Sequence, residues 1–485
     1  MLPFDANRLD IALVRGIAWV GGAKWSVQFL QWGTTIVAAR ILTPSDFGLF
    51  GMAMVFLGLV GLINEFGIGT SILMMRELTD DQVAQINSLA LLLGVCCLGI
   101  SLLAAVPLAQ FFGVPELRDV VVVLSAGFLI RAFETVPSAL LQKDLQFRLI
   151  AIFEATGAVL SSLGLFLFVS LGLHYWALVL CSLLNAVVRS SLFLSCRAHR
   201  LAWPQFATLK NSITFSRDLM VSRLAWYVYS NSDVFVVGRV LGQAALGAYR
   251  FAAALAFLPV DRVAALVIGV TPALFSAVQK DNAALRRYLL KLTEGLSLIT
   301  FPAAWGLAIV SEEAVLLLLG KKWQPAVVPL AILSAYAAVR SIEPLFSQIL
   351  MAKRETRLGM WISLRSAALL PLAFVIGSHW GTPGIAATWI VAHPLCLSPL
   401  YARVFRLIEL PIVDYAKAIW PALSSSLVMS AATLVLKVTL PSRWNLLLRL
   451  TIEVFGGGGT YVLTLLVFHR KRMGDLLRLR RMLSG

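Results

Sequence analysis

Fourteen apolar runs, each close to the length of a bilayer crossing, constrain this sequence more than any other feature. They cover residues 16–40, 47–69, 86–112, 119–141, 149–171, 175–196, 212–239, 245–270, 287–310, 325–350, 358–378, 384–402, 415–437 and 445–468. A hydrocarbon core about 30 Å thick takes about 20 apolar residues per helical crossing. The expected fold class is therefore an all-α polytopic membrane protein with about 14 transmembrane helices. With 59% hydrophobic and 14% charged residues among 485, little polar sequence is left for a soluble domain.

The breaks between runs carry local signals. Thr43-Pro44-Ser45-Asp46 reads as an N-cap, a proline at the first helical position and an acid in the first turn. Gly113-Val114-Pro115 and Gly320-Lys321-Lys322-Trp323 interrupt later runs. The first apolar run is long enough to span and lacks a small-residue cleavage site, so it is expected to act as an uncleaved anchor. Five cysteines, at 96, 97, 181, 196 and 396, lie in apolar stretches and form no disulfide framework.

The net charge of +16 would suggest nucleic acid in a soluble protein. Its placement suggests topology instead, with no nucleic-acid partner. With the N-terminus inside, basic residues divide about 24 to 5 between inner and outer segments. The expected location is the bacterial inner (cytoplasmic) membrane, with both termini cytoplasmic.

The chain also repeats itself. Arg40-Ile41-Leu42, Phe47-Gly48-Leu49-Phe50 and Ala53 recur 199 residues later as Arg239-Val240-Leu241, Leu246-Gly247-Ala248-Tyr249 and Ala252. Leu124-Ser125-Ala126, Arg131, Glu134, Ser138 and Leu141 recur at an offset of 209 as Leu333-Ser334-Ala335, Arg340, Glu343, Ser347 and Leu350. Two ordered matches at nearly equal offsets point to a duplication. Six spans separate the copies, so both halves share one orientation, as in parallel-repeat transporters. The expected organisation is an N-terminal six-helix lobe (1–200), a C-terminal six-helix lobe (201–410), and two further helices with a basic tail (411–485).

Ionisable groups inside spans are costly and face a cavity or a partner. Lys24, Gln28, Gln31 and Thr35 share one face of the first span. At offset 199, Lys24, Gln28 and Gln31 fall on Arg223, Tyr227 and Ser230, which with Ser216 make a similar stripe. Lys24 and Arg223 lie towards the inner leaflet. They suit either a cationic inter-lobe pocket for an anionic headgroup or packing cations that snorkel to the interface. Arg40 and Arg239 complement helix dipoles at the outer face. Arg131–Glu134 and Arg340–Glu343 read as structural pairs, each neutralised within its own helix. Among the lone acids Glu65, Glu154, Asp233, Asp261 and Glu294, the candidates for proton or ion coupling are Glu65, Asp233, Asp261 and Glu294. Arg189, Arg365 and His393 receive no role.

Catalytic signatures are missing. There is no Asp-x-Asp sugar-nucleotide motif, no phosphate loop and no metal-ligand spacing among His174, His199, His379, His393 and His469. No outer loop is long enough for a catalytic domain. Gly456-Gly457-Gly458-Gly459 suits close helix packing. The chain is expected to be no enzyme, with no metal and no cofactor.

Gly22-Ala23-Lys24-Trp25-Ser26, Ala39-Arg40-Ile41-Leu42, Glu65-Phe66-Gly67-Ile68, Leu141-Gln142-Lys143-Asp144-Leu145-Gln146-Phe147, Gly238-Arg239-Val240-Leu241-Gly242 and Gly320-Lys321-Lys322-Trp323 resemble polysaccharide-exporter members of the MOP flippase superfamily. The likeness is to the colanic-acid and xanthan type of Wzx exporter, over about residues 10–410. Position 43 holds Thr where the second copy of the motif has Gly242. The resemblance implies translocation of an undecaprenyl-diphosphate-linked oligosaccharide across the inner membrane by alternating access. It supplies no fixed catalytic motif. Expected partners are that lipid-linked oligosaccharide, membrane lipids, and the polysaccharide polymerase and export machinery. Competing readings are a lipid II or multidrug transporter of the same superfamily, whose cationic-drug sites would centre on acids, and a membrane-embedded glycan polymerase or ligase.

Overall fold

The computed structural model describes residues 27–64, 72, 79–197, 200–203, 223–441 and 443–470. The helices are α1 (27–41), α2 (Pro44–Asn64), α3 (Asp80–Phe112), α4 (Glu116–Lys143), α5 (Phe147–Ser170), α6 (Tyr175–Cys196) and α7 (223–236), which ends in a π turn, Val237–Leu241. There follow α8 (Gln243–Ile268), the short α9 (Thr271–Ala277), α10 (Asn282–Ile309), the short α11 (Ser311–Leu318) and a 3-10 turn, Lys321–Ala326. The chain continues as α12 (Val327–Ala352), α13 (Thr356–Ser378), α14 (Gly381–Leu407), α15 (Ile412–Thr439) and α16 (Leu446–Phe468).

Among the described residues, 12 helices are long and apolar enough to cross a membrane. Together they make this a multi-pass membrane protein. Of the 14 expected spans, the first and seventh are described only from residues 27 and 223 onward. Many Leu, Val, Ile and Phe side chains stay exposed along the helices, as Leu103, Leu163, Leu372 and Phe455 do. In water this would be untenable; against lipid tails it is the ordinary outside of a helical bundle.

The Thr43 cap follows the sequence signal, and the third helix starts earlier than expected, at Asp80. Asp46 Oδ2 accepts from the Thr43 N–H (2.8 Å) and the Thr43 hydroxyl (2.7 Å), closing the cap ahead of Pro44. Thr79 and Gln82 form a reciprocal capping box at the start of α3.

The chain forms two compact units. Unit 1 is Met1–Val228 with Gly242–Gly247, and unit 2 is Tyr229–Leu241 with Ala248–Gly485. In unit 1, α4 packs on α2, α3 and α6, and α5 pairs with α6. In unit 2, α12 packs on α10 and α14, and α13 pairs with α14. The last two helices join unit 2: α15 lies along α10, and α16 lies along α15. Tyr415 of α15 meets the Phe346 ring of α12 (5.4 Å), and Lys437 Nζ of α15 donates to Glu313 Oε2 of α11 (2.8 Å).

The 209-residue recurrence is present in the backbone. After α4, Gln146 N–H donates to Leu141 O and Leu145 N–H to Gln142 O; after α12, Glu355 N–H donates to Leu350 O and Arg354 N–H to Met351 O. Leu145 (φ 56°) and Arg354 (φ 60°) are the matching left-handed residues, and Gly172 (φ 75°) matches Gly381 (φ 68°). Each turn then meets the end of the unit's sixth helix, Asp144 with Arg197 and Glu355 with Arg403.

Candidate functional site

The functional candidates are the polar groups that helices carry into the apolar zone. Lys24 and Glu65 lie outside the described residues. On α1, Gln28 and Gln31 are half-buried, and the Thr35 hydroxyl donates to the Gln31 carbonyl (2.7 Å). Arg223 is exposed at the start of α7. One turn on, the Tyr227 hydroxyl donates to Val55 O of α2 (2.8 Å). It approaches so closely because residue 58 is glycine: a Cβ there would stand 2.1 Å from the hydroxyl oxygen. Ser230, a further turn along, is half-buried.

Unit 1 also holds an intramembrane ion pair. Arg189 of α6 binds Glu134 of α4, and its stem lies over Gly157 of α5, where a Cβ would meet Arg189 Cγ at 2.7 Å. The expected within-helix pairing of Glu134 with Arg131 persists electrostatically, and the hydrogen-bonded partner is Arg189 from a second helix. A partner on a second helix neutralises the charge and ties α4 to α6 at the same time, which an i, i+3 pair does not.

In unit 2 the expected pair likewise gains partners on other helices. Arg340 Nη1 of α12 donates to Asp261 Oδ1 of α8 (2.8 Å), and its guanidinium lies 4.4 Å from the Phe257 ring centre. Glu343, on which the Arg340 charge also acts, faces His393 of α14, with Oε2 3.9 Å from Nδ1. The Tyr336 hydroxyl lies 2.9 Å from that same Nδ1. His393 is buried and Glu343 largely so.

A second buried acid sits beside this pair. Asp233 of α7 accepts from the Tyr249 hydroxyl (2.8 Å), Trp389 Nε1 (3.1 Å) and the Val234 N–H (2.8 Å). Trp389 stacks on Tyr336 (5.6 Å) and lies 5.3 Å from the His393 ring. The structure thus buries Asp233 in unit 2's polar interior, whereas Asp261 stays exposed, paired with Arg340. Glu294 stands half-buried on α10. Arg189 and His393 are the groups that sequence reasoning missed. Their signal was that each is an ionisable residue inside an apolar run with no partner within four positions.

Among the described residues, no group of three or more His, Cys, Asp or Glu could hold a metal ion. The five cysteines are free.

The profile of a family described as "Polysaccharide biosynthesis protein" matches residues 37–328, more than half of the sequence. The chain belongs to that family. It is 27% identical over 390 residues to the lipopolysaccharide biosynthesis protein WzxC of Escherichia coli (strain K12), covering 77% of this chain and 78% of that one. It is 25% identical over 406 residues to the succinoglycan biosynthesis transport protein ExoT of Rhizobium meliloti (strain 1021), covering 83% and 82%. Among solved structures it matches the lipid II flippase MurJ in an inward closed conformation. That match has a TM-score of 0.74 at 13% identity and covers 94% of this chain and all of that one. The fold is accordingly that of this flippase, and the relatives to which this chain is similar are named for polysaccharide biosynthesis and transport.

Proposed function

We propose that this protein is a flippase that moves undecaprenyl-diphosphate-linked oligosaccharide repeat units from the inner to the outer leaflet of the bacterial cytoplasmic membrane, supplying surface polysaccharide synthesis. One observation carries the reading: a polysaccharide-biosynthesis family match coincides with the fold of a lipid-linked precursor flippase. Lys24 and Arg223, with Gln28, Gln31, Tyr227 and Ser230, are the groups assigned to the diphosphate end of the lipid. An arginine can hold phosphate oxygens bidentately, and a partly dehydrated site strengthens the attraction. The chemistry is movement without bond making, so the protein is no enzyme. Both termini are assigned to the cytoplasm by the basic residues of the inner segments.

Deleting the gene tests this. The strain is expected to accumulate lipid-linked repeat units inside and to lose surface polysaccharide. Normal polysaccharide with no accumulated intermediate would refute the function. Glycan polymerised by the purified protein would instead favour an enzyme.

A further inference from the structure

The two units solve the same problem with different chemistry. Glu134 and Glu343 are matched by the repeat, and each meets a basic group from the last helix of its six-helix set, α6 or α14. In unit 1 that group is Arg189, which stays charged at any physiological pH. In unit 2 it is His393, the one side chain whose ordinary titration lies near neutrality. Unit 1's pair is a fixed tie. Unit 2's pair joins two titratable groups.

The geometry around His393 suits proton uptake. Nδ1 lies 2.9 Å from the Tyr336 hydroxyl but 3.9 Å from Glu343 Oε2, beyond hydrogen-bond reach. With the ring neutral, Nδ1 accepts from Tyr336. A proton taken up at Nδ1 makes that nitrogen a donor, and Glu343 is the anion positioned to receive it. The pair then gains a charge-assisted bond between α12 and α14.

Both partners also stand directly before a proline inside a helix, Pro344 on α12 and Pro394 on α14. Proline removes one backbone N–H, freeing the carbonyls of Arg340 and Ile390, and helices bend most easily there. In unit 1, α6 has no proline.

The Arg340 charge, one turn before Glu343 on α12, acts on both members of the pair. Arg340 is engaged by Asp261 of α8. Arg365 of α13 donates to the carbonyls of Leu395 and Cys396, the first freed by Pro399. Asp233 of α7 is held by Tyr249 and Trp389. The other titratable neighbours are phenols: Tyr229 of α7, whose ring lies 6.2 Å from His393, and Tyr401, two turns along α14.

We propose that Glu343 and His393 form a proton-binding site at the joint of two proline-interrupted helices, and that its occupancy sets how α12 and α14 engage. Proton binding there makes the transport step pH-responsive; that consequence rests on the flippase reading, whereas the site itself does not.

The experiment uses the full chain in nanodiscs with isotope-labelled histidine, followed by NMR from pH 5 to 9. His393→Gln identifies the His393 signal among the five histidines. The expected result is a His393 transition that Glu343→Gln abolishes or moves by about one pH unit or more, the effect of an opposite charge at this distance. No transition, or one indifferent to Glu343→Gln, overturns the site. In cells, His393→Arg copies unit 1's fixed pair. It is expected to hold export within twofold across pH 6 to 8 where the parent varies more. If His393→Arg lowers membrane levels, Glu343→Gln takes its place in the same comparison. A variant that keeps the parental pH profile overturns the coupling. If neither strain exports glycan, the flippase reading fails while the NMR result stands by itself.

Discussion

Removing the Glu134 carboxylate strands Arg189 inside unit 1. Opposite unit charges about 4 Å apart attract by about 4 kcal/mol at an effective dielectric of about 20. Part of that is offset by the desolvation both groups already bear. Glu134 keeps 12% of its side-chain surface exposed and Arg189 keeps 32%, so water screens the arginine end. The expected coupling is about 2 kcal/mol, between that of a surface pair and a fully buried one. A double-mutant cycle of Glu134→Gln and Arg189→Gln, read by reversible unfolding in mixed micelles, measures it. Pairing Glu134→Gln with Arg131→Gln should give no more than the roughly 0.5 kcal/mol of a same-helix pair. Near-zero coupling to Arg189, or a larger one to Arg131, would show that the cross-helix tie does not carry the stability ascribed to it.

Lys24→Ala and Arg223→Ala are each expected to reduce export severalfold at near-normal membrane levels, with Lys24→Arg retaining more; loss of protein in step with export would instead indicate packing. Gly384→Ala should destabilise the α13–α14 hairpin by about 1–3 kcal/mol, because its Cβ would stand 2.1 Å from Gly377 O; an unchanged thermal midpoint would refute that close approach. Hydrogen bonding from Arg403 holds the Glu355 carboxyl below its ordinary 4.5. A lowered folded value means stability present above that ordinary value and lost as pH falls through the folded one. Glu355→Gln should therefore lower the midpoint slightly at pH 7 and by less as the pH falls below 4.5, and a deficit that grows towards low pH would contradict the pairing.

The spans were legible because hydrocarbon demands long apolar runs, and the caps because Thr43-Pro44-Ser45-Asp46 is a local signal. The repeat was legible in Arg131, Glu134 and their counterparts at 340 and 343. Pairing was not. Arg189 lies 55 residues from Glu134 and His393 lies 50 from Glu343, and only helix packing decides which charges meet. The i, i+3 spacing pointed to a partner that is close in sequence, whereas burying a charge rewards one on a neighbouring helix. Tyr227 was legible as polar, but its bond to Val55 O depends on the space left by Gly58. Asp233 was legible as a lone acid, but not as one held by three donors.

The central claim is movement of a diphosphate-linked lipid between leaflets. Its most direct measurement uses proteoliposomes with undecaprenyl-diphosphate-linked oligosaccharide confined at first to one leaflet, and a membrane-impermeant reagent that modifies the sugar on the other side. The expected result is a protein-dependent rise in modified lipid, at least severalfold above empty liposomes, which falls in the Lys24→Ala/Arg223→Ala variant while the glycan stays unchanged in length. A leaflet distribution that the protein does not alter would contradict it.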